Sequence, residues 1–82
     1  MPNNMEKNLL LQNFLVKGFT NPEATKQIRE AIFRKLHMNI KITKDRVLWS
    51  NWINGKNMPS RFAQNLINEA LQDLGYERLY IL

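Results

Sequence analysis

The chain has no cysteine, a single histidine, three glycines and no long apolar run, and each shortage removes a class of function. Without cysteine there is no disulfide framework and no thiolate zinc site, which fits a reducing, cytosolic setting. One histidine, His37, cannot build an imidazole metal site, so it reads as a helix-end residue. Three glycines leave no Walker-type phosphate loop and no dinucleotide fingerprint. Carboxylates are sparse (Glu6, Glu23, Glu30, Asp45, Glu69, Asp73, Glu77), and Glu23 and Asp45 already have places at helix starts. The expectation is therefore a chain with no catalytic residue, no cofactor and no metal, and not an enzyme. No apolar stretch approaches the ~20 residues of a membrane span, and the N-terminus lacks a signal-peptide pattern, so no membrane partner is expected.

What is present suits one small domain over residues 1–82. A chain this short buries only about 60% of its unfolded surface, so its core must be economical. Apolar residues make up 44% and charged residues 23%, the balance of an ordinary globular domain. Twelve Lys and Arg against seven Asp and Glu give a net charge of +5, which favours a polyanionic partner.

Periodicity predicts helices almost throughout. Residues 1–4 are expected to fray. From Met5 to Lys17, the apolar residues Leu9, Leu10, Leu11, Phe14, Leu15 and Val16 suit an amphipathic helix, with a stop near Gly18. Only Lys7 and Lys17 supply positive charge there, so a packing helix is favoured over a membrane-surface one. Thr20-Asn21-Pro22-Glu23 starts a second helix. Thr20 and Glu23 have capping-box spacing, while Asn21 before Pro22 suits an N-cap and first helical residue; both readings remain open. This helix should run to about Leu36, burying Ile28, Ala31, Ile32 and Leu36 and exposing Lys26, Arg29, Arg34 and Lys35. His37 to Ile42 follows as a connection, with Ile40 and Ile42 alternating as in a short extended segment. Ser60 to Leu74 reads as the last helix, with Phe62, Ala63, Leu66, Ile67, Ala70, Leu71 and Leu74 on one face and Gly75 as its stop. The tail, residues 76–82, is apolar; it either closes the core or forms a strand that pairs in a dimer.

The most informative stretch is Thr43 to Phe62, T-K-D-R-V-L-W-S-N-W-I-N-G-K-N-M-P-S-R-F. Thr43 can cap a helix, and Asp45 sits in its first turn. Leu48, Trp49, Trp52 and Ile53 form one apolar stripe, and Gly55 ends the helix. With both tryptophans inward, Arg46, Val47, Ser50, Asn51 and Asn54 point outward. Arg, Asn and Ser can hydrogen-bond base edges, and a small apolar residue can meet a thymine methyl.

The segment W-I-N-G-K-x-x-P-S-R-F resembles the exit from the recognition helix in phage repressor and Cro-type helix-turn-helix proteins. Trp49, Trp52, Asn54, Gly55, Lys56 and Pro59 carry the likeness, closely over about 20 residues. It implies an all-α, four-helix helix-turn-helix domain that binds double-stranded DNA as a small, phage-related transcriptional regulator in the cytoplasm, at the nucleoid. Helix 43–54 would enter the major groove, with Arg46, Val47, Ser50 and Asn51 on bases. Lys44, Asn54, Lys56, Arg61 and Arg29 would hold phosphates, and Trp49, Trp52 and Phe62 would support the helix from behind. The joint 37–42 is longer than the three or four residues usual in that family. A homodimer is one expected partner state. Two other classes stand beside this one, a protein-interaction module using the N-terminal helix or tail, and an architectural or recombination accessory DNA-binding protein.

Overall fold

The computed structural model describes residues 8–18 and 21–81, which hold four helices and no strand. The helices are α1 (Leu10–Gly18), α2 (Pro22–Asn39), α3 (Asp45–Ile53) and α4 (Arg61–Asp73). The expectations for residues 1–4, for a helix start at Met5, for a cap by Thr20 and for Leu82 lie outside the described residues.

Each boundary has a local cause. Asn21 has an extended backbone, and its side chain accepts a hydrogen bond from the Glu23 N–H at 2.9 Å, with Pro22 as the first helical residue. Beyond Leu36, its last buried residue, α2 continues to Asn39 because His37, Met38 and Asn39 contain no helix breaker. The Asn39 side chain then donates to the Lys35 carbonyl at 2.8 Å, and Ile40 turns to extended backbone (φ −139°). The connection is thus residues 40–44, shorter than the expected 37–42. Ile40 and Ile42 are half-buried against the core without forming a strand. Thr43 does not cap α3. The N-cap is Lys44, with no side-chain hydrogen bond, and the helix starts at Asp45.

The ends of α3 and α4 are built alike. At α3, the Lys56 N–H donates to the Asn51 carbonyl at 2.9 Å and the Gly55 N–H to the Trp52 carbonyl at 3.4 Å. At α4, the Tyr76 N–H donates to Leu71 at 2.9 Å and the Gly75 N–H to Gln72 at 2.9 Å. Both are Schellman closures, which need a left-handed residue just past the helix; Gly55 (φ 75°) and Gly75 (φ 93°) supply it. Gly55 has a second reason to lack a side chain, since a Cβ there would lie 3.0 Å from Leu9 Cδ2.

Helices α2 and α4 pack most extensively, and α1 lies against α3. The fully buried side chains Ile28, Ile32 and Leu36 of α2, Ile67 and Leu71 of α4, and Leu11 of α1 form the centre. Each contributes roughly 1.5–3 kcal/mol relative to exposure. Lys35 ties α2 to the end of α4 through Asp73, 2.6 Å away, and this carboxylate raises the Lys35 pKa.

Two polar residues interrupt the buried face of α4. Gln64 Nε2 donates to the Pro59 carbonyl at 2.9 Å and so fixes the loop entering the helix. Asn68, 3% exposed, binds the returning tail three times. Its Oδ1 accepts from the Leu79 and Tyr80 N–H groups and its Nδ2 donates to the Tyr80 carbonyl, all at 2.8 Å. The tail therefore folds back, with the Tyr80 ring 4% exposed and Phe14 of α1 meeting Tyr76 edge-on at 6.1 Å. Two residues placed on the buried face of α4 by periodicity lie outside it, Phe62 at 52% and Leu74 at 42% exposure. Phe62 is in the first helical turn and Leu74 is the C-cap, so both lie at the ends of the packed face.

Candidate nucleic-acid interface

The candidate interface is the outer face of α3, and three aromatic rings set its orientation. Phe33 of α2 stacks on Trp52 with centroids 5.9 Å apart and planes 9° from parallel. The same Phe33 meets Trp49 edge-on at 6.1 Å. Both geometries suit aromatic quadrupoles, and together they turn the tryptophan side of α3 onto α2. Trp52 is buried, whereas Trp49 is half-buried at the rim.

The opposite face then points outward by helical geometry. Arg46, Val47 (53% exposed), Ser50 and Asn54 are exposed along it, and Lys44 stands at its start. Asn51 is only half-buried, and its backbone carbonyl receives the Lys56 and Asn57 N–H groups of the closing turn. Asn54 is partly committed as well, its Nδ2 donating to Ser50 Oγ at 3.2 Å. Lys56 is exposed in the loop beyond Gly55, and Arg61 is the exposed first residue of α4. Ser60 caps that helix, accepting from the Ala63 N–H at 3.2 Å. Phe62, expected behind α3 as a support, is instead a surface residue. The support comes from Phe33, which periodicity had not singled out.

Arg29 and Arg46 come together across the α2–α3 junction. They line one open cleft of about 510 Å³ with Glu30, Phe33, Asp45 and Trp49. Two guanidinium groups thus share a concave surface with an indole, but also with two carboxylates. One of these, Asp45, accepts a hydrogen bond from His37 through Oδ2, 2.8 Å from Nε2. A carboxylate can only accept, so Nε2 carries the hydrogen. The other oxygen, Oδ1, is buried with no hydrogen-bond partner among the described residues.

Sequence spacing found Arg29 and Arg46 but not the acidic residues between them. The signal available was the pair of helix ends. His37 lies in the last turn of α2 and Asp45 in the first turn of α3, so a short connection brings them together.

Among the described residues no three His, Asp or Glu side chains converge as a metal site, and no helix is long and apolar enough to cross a membrane. No protein-family model, curated protein or solved structure matches this chain.

Proposed function

We propose that this domain binds double-stranded DNA in a sequence-selective way, as a small transcriptional regulator of the phage repressor and Cro type, with α2 and α3 as its helix-turn-helix. The observation that carries the reading is the division of α3 into two faces. Trp49 and Trp52 are turned to Phe33, while Arg46, Val47 and Ser50 are exposed between Lys44 and Lys56. A helix with its side chains is about 10–12 Å across, a diameter that a major groove about 12 Å wide accepts. In this reading Arg46 makes the bidentate contact to guanine, Val47 meets a thymine methyl, and Ser50 and Asn51 add hydrogen bonds. Lys44, Asn54, Lys56, Arg61 and Arg29 hold phosphates and fix the register. The net charge of +5 supports association with a polyanion.

The test is selection of bound duplexes from a random-sequence pool near physiological salt. An enriched short motif supports the reading. An inverted repeat with half-sites ~10 bp apart would add a second copy of the chain as partner. Retention of DNA without enrichment would replace it by an architectural role, and no retention would remove DNA altogether in favour of a protein partner. On an enriched site, Arg46→Ala should cost roughly 1–3 kcal/mol and relax one base position. Lys56→Ala should weaken all duplexes alike and lower the salt slope by about one. Identical behaviour of the two variants would refute the division of roles.

A further inference from the structure

The contact between His37 and Asp45 has no clear place in a stability account. Both side chains are over 40% exposed, and exposed pairs of this kind contribute little to folding. Its position is more telling. It joins the last turn of α2 to the first residue of α3 and so bridges the connection 40–44, which has no glycine. Among the described residues the start of α3 has no other side-chain hydrogen bond, and its N-cap Lys44 makes no capping one. The aromatic contacts hold α3 by its apolar face at Trp49 and Trp52, a turn or more beyond its first residue. A hydrogen bond to a carboxylate is directional, so it fixes what the rings leave free.

The charge of Asp45 sharpens the question. It stands directly before Arg46 and lines the same cleft as Arg29 and Arg46. A carboxylate there repels a phosphate backbone, so on electrostatics alone its removal would tighten binding to every duplex.

We infer that His37 and Asp45 form a clasp that fixes the first turn of α3 against the end of α2, within the orientation set by the aromatic rings, and that Asp45 is a positioning residue for selective DNA binding by the Arg46 face. The inference rests on the DNA reading above and adds to it a determinant of selectivity that touches no base. Asp45 weakens indiscriminate binding by its charge and strengthens selective binding by its geometry. Its removal should therefore move the two affinities in opposite directions, which loss of fold cannot do.

The experiment compares the full chain with His37→Ala, Asp45→Ala, Asp45→Asn and the double alanine variant. Each is titrated with the duplex enriched by selection and with a scrambled duplex of equal length, and each is checked for an unchanged thermal midpoint. Asp45→Ala should bind the scrambled duplex about threefold tighter, having lost one repulsive charge. On the enriched duplex, loss of an exposed pair costs up to about fivefold, which outweighs the charge gain and leaves binding about twofold weaker. His37→Ala should show the same selective loss without the non-specific gain. The double variant should lose no more selectivity than either single one, since the two residues act through one bond. Asp45→Asn keeps an oxygen acceptor for His37 and should recover most of the selectivity while retaining the non-specific gain. The clasp is overturned if Asp45→Ala tightens both duplexes alike, or if the two single losses add in the double variant. A wild-type protein that distinguishes no duplex would overturn the DNA reading, and the clasp with it. Wild-type selectivity that survives unchanged in all four variants would overturn the clasp alone.

Discussion

Replacing Asn68 by alanine removes the only side chain that fastens the tail to α4 by hydrogen bonds among the described residues. The change deletes three bonds of 2.8 Å and strands the Leu79 and Tyr80 N–H groups and the Tyr80 carbonyl. A buried polar group without a partner costs about 1–3 kcal/mol, and the half-buried Leu79 amide regains some water. The expected loss is therefore about 3–5 kcal/mol. A domain of 82 residues holds roughly 4–12 kcal/mol in total, so the variant should fall near the limit of folding. Urea unfolding followed by far-ultraviolet circular dichroism would measure the loss. Hydrogen exchange at the Leu79 and Tyr80 amides would show whether the tail opens first. Asn68→Asp is the sharper companion, since it keeps the acceptor for both amides and sets a carboxylate oxygen against the Tyr80 carbonyl. It should be destabilised by the lost bond, by repulsion from the carbonyl and by burial of a charge, and should regain stability as pH falls and the carboxyl is protonated. An alanine variant within about 0.5 kcal/mol of wild type, the ordinary range of surface changes, and with both amides still protected, would refute the role assigned to Asn68.

The two helix-ending glycines and the buried tyrosine give further tests. Gly75→Ala should cost about 1–2 kcal/mol from its left-handed backbone alone, because nothing lies within 4 Å of the added carbon. Gly55→Ala meets Leu9 as well and should lower the thermal midpoint further; equal midpoints would show that the Leu9 contact yields freely. Burial pushes the Tyr80 phenol up to about 12. Because the fold favours the neutral phenol, its contribution is intact below pH ~10 and is lost as pH rises from there through the folded pKa, by at most about 2–3 kcal/mol. Lys35, raised by Asp73, also loses its contribution as its folded pKa is passed, so the comparison that isolates the phenol is with Tyr80→Phe. Stability measured from pH 9 to 12 should fall less steeply in Tyr80→Phe, and matching slopes would contradict the assignment.

What could be read from the sequence was whatever is decided within one or two turns. The helix start around Asn21 and Pro22, the opening of the last helix at Ser60 and the glycine stops at 55 and 75 are local chemistry, and the alternation of faces along α3 follows from helical spacing alone. Apart from the Thr43 cap and the end of α2, which are local, the errors arise where the deciding partner is distant in the chain. Phe62 has the character of a core residue, but in the first turn of α4 it lies at the end of the packed face and is exposed. Gln64 and Asn68 look like surface residues and are buried because a proline carbonyl and a returning tail need them. At the candidate interface, spacing indicated the outward residues Arg46, Val47 and Ser50. Phe33 behind them, and the acids Glu30 and Asp45 beside Arg29, depend on how two helices cross. Asn51 is half-buried because its backbone completes the closing turn, a use that side-chain type does not reveal.

The aromatic cluster on which α3 rests has a practical consequence. Both tryptophans of the chain are in this one helix, so tryptophan emission, excited beyond the tyrosine band, reports on α3. They also sit in different surroundings, Trp52 packed flat on Phe33 and Trp49 at the rim of the cleft that holds Arg29 and Arg46. A soluble quencher such as iodide should reach Trp49 and spare Trp52. A molecule settling on the cleft should then shield the accessible half of the signal. The protein thus carries an unlabelled optical sensor at the surface where its partner is expected.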